Sequence, residues 1–291
     1  AYSLIDPRVR PLAYIIKAWT KARHMNSPGD GTLSSYGYIM LLIHFLQIQN
    51  PPILPNLQNI PPNWEGGYID PIDAVAASEL SFEVELNPAD GTPCNTYFFT
   101  PQNEKAAKAL SCFGTSNKSS IGELLTKFFQ YYSYEFDYRN DVISIQAGQS
   151  IKKVAKAEMD GWPLHERLSI EDPFERSYDV GHVVKATQML HIQKEFLRAY
   201  TLVRRANTTL NRIVRVDNLA GSVKGIDLLK YIIEEPENLP KFVKDVRESR
   251  EKQEIARLEK IEQEKIEKLE RQQQQQQNLQ QQQNLAQHQI P

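Results

Sequence analysis

The sequence predicts a mainly α-helical fold with a small β ribbon. Residues 11–23 and 36–47 repeat apolar side chains at helical spacing. Residues 121–134 do the same with an aromatic stripe, which is more typical of a protein core than of a base-stacking surface. Short alternating runs at 141–146 and 168–171 predict two paired strands. With 291 residues, 41% of them hydrophobic, the chain is long enough to bury such a core.

Capping and breaking residues set the expected helix boundaries. Pro11 opens the first helix, and the Asn, Pro and Gly residues of segment 26–31 end it. Ser34 and Ser35 are N-cap candidates for the second helix, whose nearly continuous apolar content predicts burial on most sides. Ser119 is the expected cap of the aromatic helix.

Composition divides the chain into segments of different character. Residues 241–271 hold ten basic and nine acidic side chains, and Gln occupies 12 of the last 21 positions. We therefore predict an amphipathic helix followed by a disordered tail. The helix is a candidate surface for a protein partner. The predicted segments are a helical domain at 1–50 and 119–216 (one or two helices at 181–211), an acidic Pro-rich insertion at 51–118, a linker at 217–240, the charged helix at 241–271 and the tail at 272–291.

Charge is placed unevenly along the chain. No Lys or Arg occurs between Arg23 and Lys105, an interval that holds nine acids. By contrast, residues 185–215 carry seven cations against the single acid Glu195. These cations could neutralise nucleic-acid phosphates, although a solvated helix face explains them equally well. The candidate RNA contacts are Lys185, Lys194, Arg198, Arg204, Arg205 and Arg212.

General chemical motifs are sparse. The longest apolar stretch, Tyr38 to Leu46, is about half the ~20 residues that span a bilayer, so we expect no membrane contact. Cys94 and Cys112 have no neighbours at zinc-site spacing, and so few cysteines favour the cytosol or the nucleus. No P-loop or zinc-protease motif occurs and the histidines show no metal-site spacing, which disfavours a hydrolase triad or a metal hydrolase. The chain begins at Ala1 without a signal peptide, and we expect an N-terminal truncation.

One constellation of motifs stands above this background. It starts with DPRVRPL at 6–12, continues with IKAWTKAR at 16–23 and Asn26, and reaches GTLSSYGY at 31–38. Together with the later runs LLTKFFQYYSYEF and IEDPFERSYDVG, it resembles the terminal RNA nucleotidyltransferases. This family contains terminal uridylyltransferases and cytoplasmic-type poly(A) polymerases. The resemblance covers most of residues 5–205 and implies the helical central domain of a DNA polymerase β-like nucleotidyltransferase, with its PAP-associated domain.

The resemblance implies a nucleoside triphosphate site at the first motifs. Lys17 and Lys21 match the two lysines that hold the triphosphate in the family. The residue pair of the GTLSSYG motif becomes Ser35, which contacts phosphate, and Tyr36, which stacks on the base. The physical chemistry agrees, because two lysines one helical turn apart point the same way and can face a polyphosphate together.

The DPFE loop completes the implied site. Asp172 and Glu175 match the acidic residues that close the base pocket in the family. Family uridylyltransferases often carry a histidine shortly after this motif, and the corresponding residue here is Tyr178. This difference favours ATP over UTP as substrate, with uridylation and mixed use as the alternatives.

The sequence departs from the family in its catalytic carboxylates. The family places a Gly-Ser and a D-x-D upstream of the first motif, where they hold two divalent ions. Here Gly221-Ser222 is followed only by Asp227, so it is not a displaced copy. We expect the catalytic residues, and the ligands of Mg²⁺ or Mn²⁺, to lie upstream of Ala1, and the chain alone to be inactive.

Two hypotheses on function follow. In the first, the chain is part of a template-independent enzyme that adds AMP or UMP from a nucleoside triphosphate to RNA 3′ ends, and it supplies the nucleotide contacts. In the second, it is a non-catalytic RNA-binding or scaffold protein derived from that family. We favour the first, because the phosphate-binding and base-stacking residues are intact.

Overall fold

Helices make up most of the described part of the chain. The computed structural model describes residues 1–67, 84–87, 91–217 and 232–234, with seven isolated positions beyond residue 236; for 206–217 it describes the backbone alone. The α-helices are α1 Tyr2–Ile5, α2 Val9–Ala22, α3 Ser35–Gln47, α4 Glu104–Cys112, α5 Ile121–Gln130, α6 Lys153–Asp160 and α7 Ala186–Asp217. The two helices predicted near the start of the chain and the one predicted at 121–134 are therefore present. A π-helix at Tyr131–Glu135 continues α5. No helix of the described residues combines the length and apolar character that crossing a bilayer requires.

Helices α2 and α3 differ in how much of their surface is buried. Helix α2 is amphipathic and buries Leu12, Ile16 and Trp19 along one face. Helix α3 buries most of its residues, as its apolar content predicts. Of the two candidate caps, Ser34 is the N-cap, because its hydroxyl accepts a hydrogen bond from the Gly37 amide at 3.1 Å.

The core forms where α2, α3, α5 and α7 meet. Trp19 of α2 lies at its centre, with ring centroids 4.9 Å from Phe129 of α5 and 5.0 Å from Phe196 of α7. On α3, Tyr38 contacts the same indole edge-on. The aromatic stripe at 121–134 is thus confirmed as core, and one tryptophan connects all four helices.

The cap of α5 is Ser120 and not the predicted Ser119. The Ser120 hydroxyl accepts from the Glu123 amide at 3.3 Å, and the Glu123 carboxylate accepts from the Ser120 amide at 2.8 Å. This reciprocal pair is a capping box. The prediction was wrong by one residue, because the sequence offers two adjacent serines and only Ser120 stands three residues before a glutamate.

Replacing Ser120 by Ala should lower the free energy of unfolding by about 1 kcal/mol, since it leaves the Glu123 amide without its acceptor. Urea unfolding followed by circular dichroism measures the change. Ser119→Ala is the matched control, because the Ser119 hydroxyl makes only an exposed 3.4 Å contact with Lys127. An equal loss in both variants would contradict the assignment of the cap.

The main sheet places the DPFE loop. Strand β3 (Asp141–Ser144) pairs antiparallel with β4 (Gln149–Lys152) and parallel with β5 (Ser169–Ile170). The predicted partnership between the runs at 141–146 and 168–171 is confirmed. Strand β4 and helix α6 were not predicted, since both are too rich in polar residues to show a clear apolar period. The chain leaves β5 directly into Glu171 and the DPFE loop.

The described flanks of the predicted insertion at 51–118 belong to the core. Their buried apolar residues are Ile53, Leu54, Leu57, Ile60, Phe99, Ala106 and Leu110. Within this segment, strands β1 (Val84–Leu86) and β2 (Pro93–Asn95) pair antiparallel as a separate two-stranded ribbon. Only residues 68–83 and 88–90 of this segment lie outside the described residues. The composition of the segment, acidic and rich in proline, concealed its apolar contribution to the core.

The C-terminal predictions fall mostly outside the described residues. The contacts divide the chain into residues 1–236 and 237–291, which are considered separately. In the first unit, Ile232 lies within the predicted linker at 217–240 and is fully buried. In the second, the described positions are Lys244, Glu248, Lys252, Ala256, Arg257, Lys260 and Gln263, all helical and exposed. The remainder of the predicted helix at 241–271, and the tail at 272–291, lie outside the described residues.

Candidate functional site

Tyr36 and Asp172, 136 residues apart in the chain, meet at the candidate site. Tyr36 stands in the first turn of α3, and its hydroxyl donates to Asp172 Oδ2 at 3.0 Å. Partial burial, and to a smaller extent the charge and hydrogen bond of Asp172, raise the pKa of Tyr36 above its ordinary value of 10.0. The phenol therefore stays protonated at neutral pH and acts as a donor. The residue as a whole remains 41% exposed, so part of the side chain is accessible to a ligand.

Ser35 is held by Asn26, for which the motifs imply no contact. The Asn26 side-chain amide donates to the Ser35 hydroxyl at 2.7 Å. Asn26 follows the end of α2, so this bond links the two helices that carry the predicted phosphate contacts. Asn26 lies within the motifs that carry the resemblance. Its position, a polar residue between the end of a helix and a glycine turn, was the only feature of the sequence that could have indicated this contact.

The DPFE loop is fixed by its own backbone and by Asp172. Asp172 Oδ1 accepts from the amides of Phe174 at 2.9 Å and Glu175 at 3.1 Å, which is a local turn of the type aspartate favours. The Asp172 amide donates to the Tyr178 carbonyl at 3.1 Å, and the Tyr178 amide donates to the Glu175 carbonyl at 2.9 Å. The structure thus joins Asp172, Glu175 and Tyr178 in one tight loop.

Two further side chains of this loop, one exposed and one half-buried, are Tyr178 and Glu175. Tyr178 is 43% exposed, and its ring meets His182 edge-on at 5.1 Å between centroids. Glu175 accepts from the Asn87 side-chain amide at 3.5 Å, a long contact. The loop therefore presents an aromatic ring and a carboxylate near Asp172.

Residues of the predicted insertion support this loop from the side. The Asn95 amide donates to the Phe174 carbonyl at 2.8 Å, and the Gln58 side-chain amide donates to the Pro173 carbonyl at 2.5 Å. The segment 51–118 thus contributes directly to the site geometry. Sequence reasoning missed this because neither Gln58 nor Asn95 lies in a recognisable motif.

Lys17 and Lys21 lie one turn apart on α2, and both are exposed. Among the described residues, neither ammonium group forms an ion pair or a hydrogen bond, so both are available to an anion. Lys185, a predicted RNA contact, lies close to the start of α3. Its amide donates to the Gly31 carbonyl at 3.0 Å, and its aliphatic stem covers Gly31 so closely that a Cβ there would lie 2.6 Å from Lys185 Cδ.

The other predicted RNA contacts are in different environments. Lys194, Arg204 and Arg205 are exposed on α7. Arg198 has internal partners as well, because its guanidinium donates to Glu195 Oε2 at 2.8 Å and to the Ile232 carbonyl at 2.8 Å. These internal contacts give Arg198 a structural role. The side chain of Arg212 lies outside the described residues.

The described residues do not fit a divalent metal site. No group of three His, Cys, Asp or Glu side chains in this part of the chain is close enough together to hold an ion.

Comparison with known proteins agrees with the motifs. The family model described as Cid1 family poly A polymerase matches residues 120–178. Poly(A) RNA polymerase cid13 of Schizosaccharomyces pombe is 34% identical over 206 residues, which cover 70% of this chain and 30% of the relative. Terminal uridylyltransferase cid1 of the same organism is 30% identical over 218 residues, covering 70% of this chain and 46% of the relative. Human poly(A) RNA polymerase GLD2 is 28% identical over 199 residues, covering 68% and 34%.

Solved structures show the same likeness. A structure described as a cytoplasmic RNA terminal U-transferase aligns with a TM-score of 0.55 and 26% identity, over 81% of this chain and 60% of that one. Cid1 in complex with the UTP analogue UMPNPP aligns with a TM-score of 0.54 and 27% identity over the same shares. The chain spans less than half the length of the curated relatives described above. The matched domain, the ordered motifs and the shared structure establish that this chain belongs to the terminal RNA nucleotidyltransferase family.

Proposed function

We propose that this chain supplies the nucleotide-binding surface of an enzyme that adds nucleotides, without a template, to RNA 3′ ends. The contact between Tyr36 and Asp172 carries the proposal, because it joins the start of α3 to the DPFE loop while Tyr36 stays 41% exposed and can meet a base. Stacking on an exposed aromatic ring is a common way to bind a base. Lys17 and Lys21 are the cations available to the triphosphate.

Adenylation is the preferred reaction in this proposal. Tyr178 replaces the histidine that the resemblance associates with uridylyltransferases, and its exposed ring lies in the loop that carries Asp172. Tighter binding of ATP than of UTP is the expected result, measured as two dissociation constants under identical salt and Mg²⁺. Equal constants, or tighter UTP binding, would contradict this preference.

Tyr36→Ala should weaken ATP binding about tenfold, because base stacking on an aromatic side chain contributes about 1–3 kcal/mol. Tyr36→Phe keeps the ring and removes only the hydroxyl donor to Asp172, so its effect should be smaller. Isothermal titration with ATP measures both. Tyr14→Ala is the matched control, since Tyr14 is 63% exposed on α2 and belongs to none of the site motifs. Undiminished ATP binding by Tyr36→Ala would overturn the proposed site.

The exposed cations of α7 favour RNA as the second substrate. Lys194 and Arg205 fall within about 20° of each other around the helix, at 100° per residue. Two cations on one helix face can contact the same phosphate backbone, and their contribution to RNA affinity decreases as the salt concentration rises. This feature also suits the alternative, an RNA-binding protein without catalysis. Under that alternative RNA would bind with the same salt dependence while ATP would not bind at all.

A further inference from the structure

A buried lysine lies behind the DPFE loop. The Lys156 side chain, on α6, is 1% exposed. Its Nζ lies 2.5 Å from Asp160 Oδ2 and 2.7 Å from Glu171 Oε1, and it donates to the Arg176 carbonyl at 2.9 Å. These three acceptors use all three donor positions of the ammonium group. The indole of Trp162 covers the same charge, with its ring centre 4.7 Å from Nζ.

Two of these acceptors flank the DPFE sequence. Glu171 immediately precedes Asp172, and Arg176 immediately follows Glu175. The Arg176 carbonyl also accepts from the Trp162 Nε1–H at 3.2 Å. The Glu171 carboxylate, 2% exposed, accepts from the Ser144 hydroxyl of β3 as well. One ammonium group therefore ties both ends of the four-residue loop to α6 and, through Glu171, to the sheet.

A lysine in this position is costly unless its charge is compensated, and a well-packed apolar side chain often stabilises a fold equally well. Fold stability alone is therefore a weak explanation for a charge at this place. The ammonium group does what an apolar side chain cannot do, because it fixes two acceptors at opposite ends of a loop at hydrogen-bond distance from one point.

We propose that Lys156 is a positioning residue for recognition of the nucleotide base. With Glu171 and Trp162, it holds the DPFE loop so that Asp172 stays in place to accept from Tyr36. The role in base recognition rests on the proposed function, whereas the contacts by which Lys156 fixes the loop do not depend on a nucleotide.

Hydrogen exchange tests the hold on the loop without any nucleotide. In the full chain, Lys156→Met should raise the exchange rates of the amides at 172–178 about tenfold, the scale of losing a charge-assisted hydrogen bond. Amides in the core of α3 should change far less. Trp162→Phe keeps a ring but removes the N–H donor to Arg176, so it should raise the same rates about threefold. Trp162→Phe decides the matter if Lys156→Met does not fold.

Lys152→Met is the matched control. Lys152 is the residue before α6 and pairs with Asp141 through an exposed ammonium group, so it shares the local chain but not the loop. Unchanged exchange at 172–178 in both Lys156→Met and Trp162→Phe, or an equal rise in Lys152→Met, would overturn the proposal.

ATP binding separates positioning from general stability. Lys156→Met should weaken ATP binding about tenfold, and less than about threefold when Tyr36 is already phenylalanine, because both changes act on one contact. Full additivity of the two changes, or unchanged ATP affinity in Lys156→Met, would overturn the positioning role. If the unaltered chain binds no ATP, the proposed function and this role fail together, while hydrogen exchange still decides whether Lys156 holds the loop.

Discussion

Trp19→Ala should lower the free energy of unfolding by about 3–5 kcal/mol, the usual cost of truncating a large buried aromatic residue. Trp19 is fully buried and contacts α3, α5 and α7 through Tyr38, Phe129 and Phe196. Its indole N–H has no acceptor among the described residues, so the loss is one of packing and cavity formation. Urea unfolding at pH 7 measures it.

Two further variants test whether the loss is specific to Trp19. Trp19→Phe keeps an aromatic ring in the cavity and should recover most of the lost stability. Tyr14→Ala lies on the same helix but is 63% exposed, and it should change stability by no more than about 0.5 kcal/mol. Similar losses in Trp19→Ala and Tyr14→Ala would show that the core does not depend on the central tryptophan. Because Trp19 lies between Lys17 and Lys21 in sequence, its loss should also disturb the proposed triphosphate contacts.

Glu195→Ala should destabilise the fold by about 3–5 kcal/mol, because it leaves a buried cation without its partner. The Glu195 carboxylate accepts hydrogen bonds from Arg23 Nε at 2.8 Å and Arg23 Nη2 at 3.0 Å, and it also accepts one from Arg198. Both Arg23 and Glu195 have side chains less than a tenth exposed. The matched control is Glu166→Ala, whose exposed pair with Arg139 should contribute less than about 1 kcal/mol.

The same ion pair gives stability a defined pH dependence. Burial alone would raise the pKa of Glu195, but the hydrogen bonds from Arg23 and Arg198 outweigh it and hold that pKa below 4.5. A carboxylate with a lowered pKa stabilises the folded state above its unfolded-state pKa, and this contribution disappears as the pH falls through the folded-state pKa. The difference in stability between the unaltered chain and Glu195→Ala should therefore be largest at neutral pH and shrink below about pH 4.5. A difference that is constant between pH 7 and pH 3 would contradict the assigned charge state.

The sequence predicted the elements whose apolar pattern is strong. Helices α2, α3 and α5 each carry a clear apolar period, and the two strands at 141–146 and 168–171 alternate. The core contribution of residues 51–60 was hidden by prolines and by the acidic composition of the segment around them. Helix α6 was hidden because half of its residues are charged. Lys156 becomes an interior residue only through partners such as Glu171, fifteen positions away.

The candidate site was predicted as a set of residues, and the structure adds how they are joined. The motifs named Tyr36 and Asp172, but no local pattern indicates that a tyrosine and an aspartate 136 positions apart share a hydrogen bond. The internal pairing of Arg198 was equally invisible, because an arginine on a basic helix has the same sequence signature whether it faces solvent or a buried carboxylate. Long-range pairing is what sequence reasoning on one chain does not supply.

The closure of the DPFE loop has a consequence for how base preference diversifies. Glu171 and Asp179 form an antiparallel bridge, and the Asp172 amide binds the Tyr178 carbonyl, so the main chain is pinned at both ends. The side chains of Phe174 and Tyr178 nevertheless point outward and remain exposed. A lineage can therefore exchange these two side chains while the backbone trace is inherited unchanged. Under the proposed function, a change of base preference at Tyr178 therefore needs no change of fold.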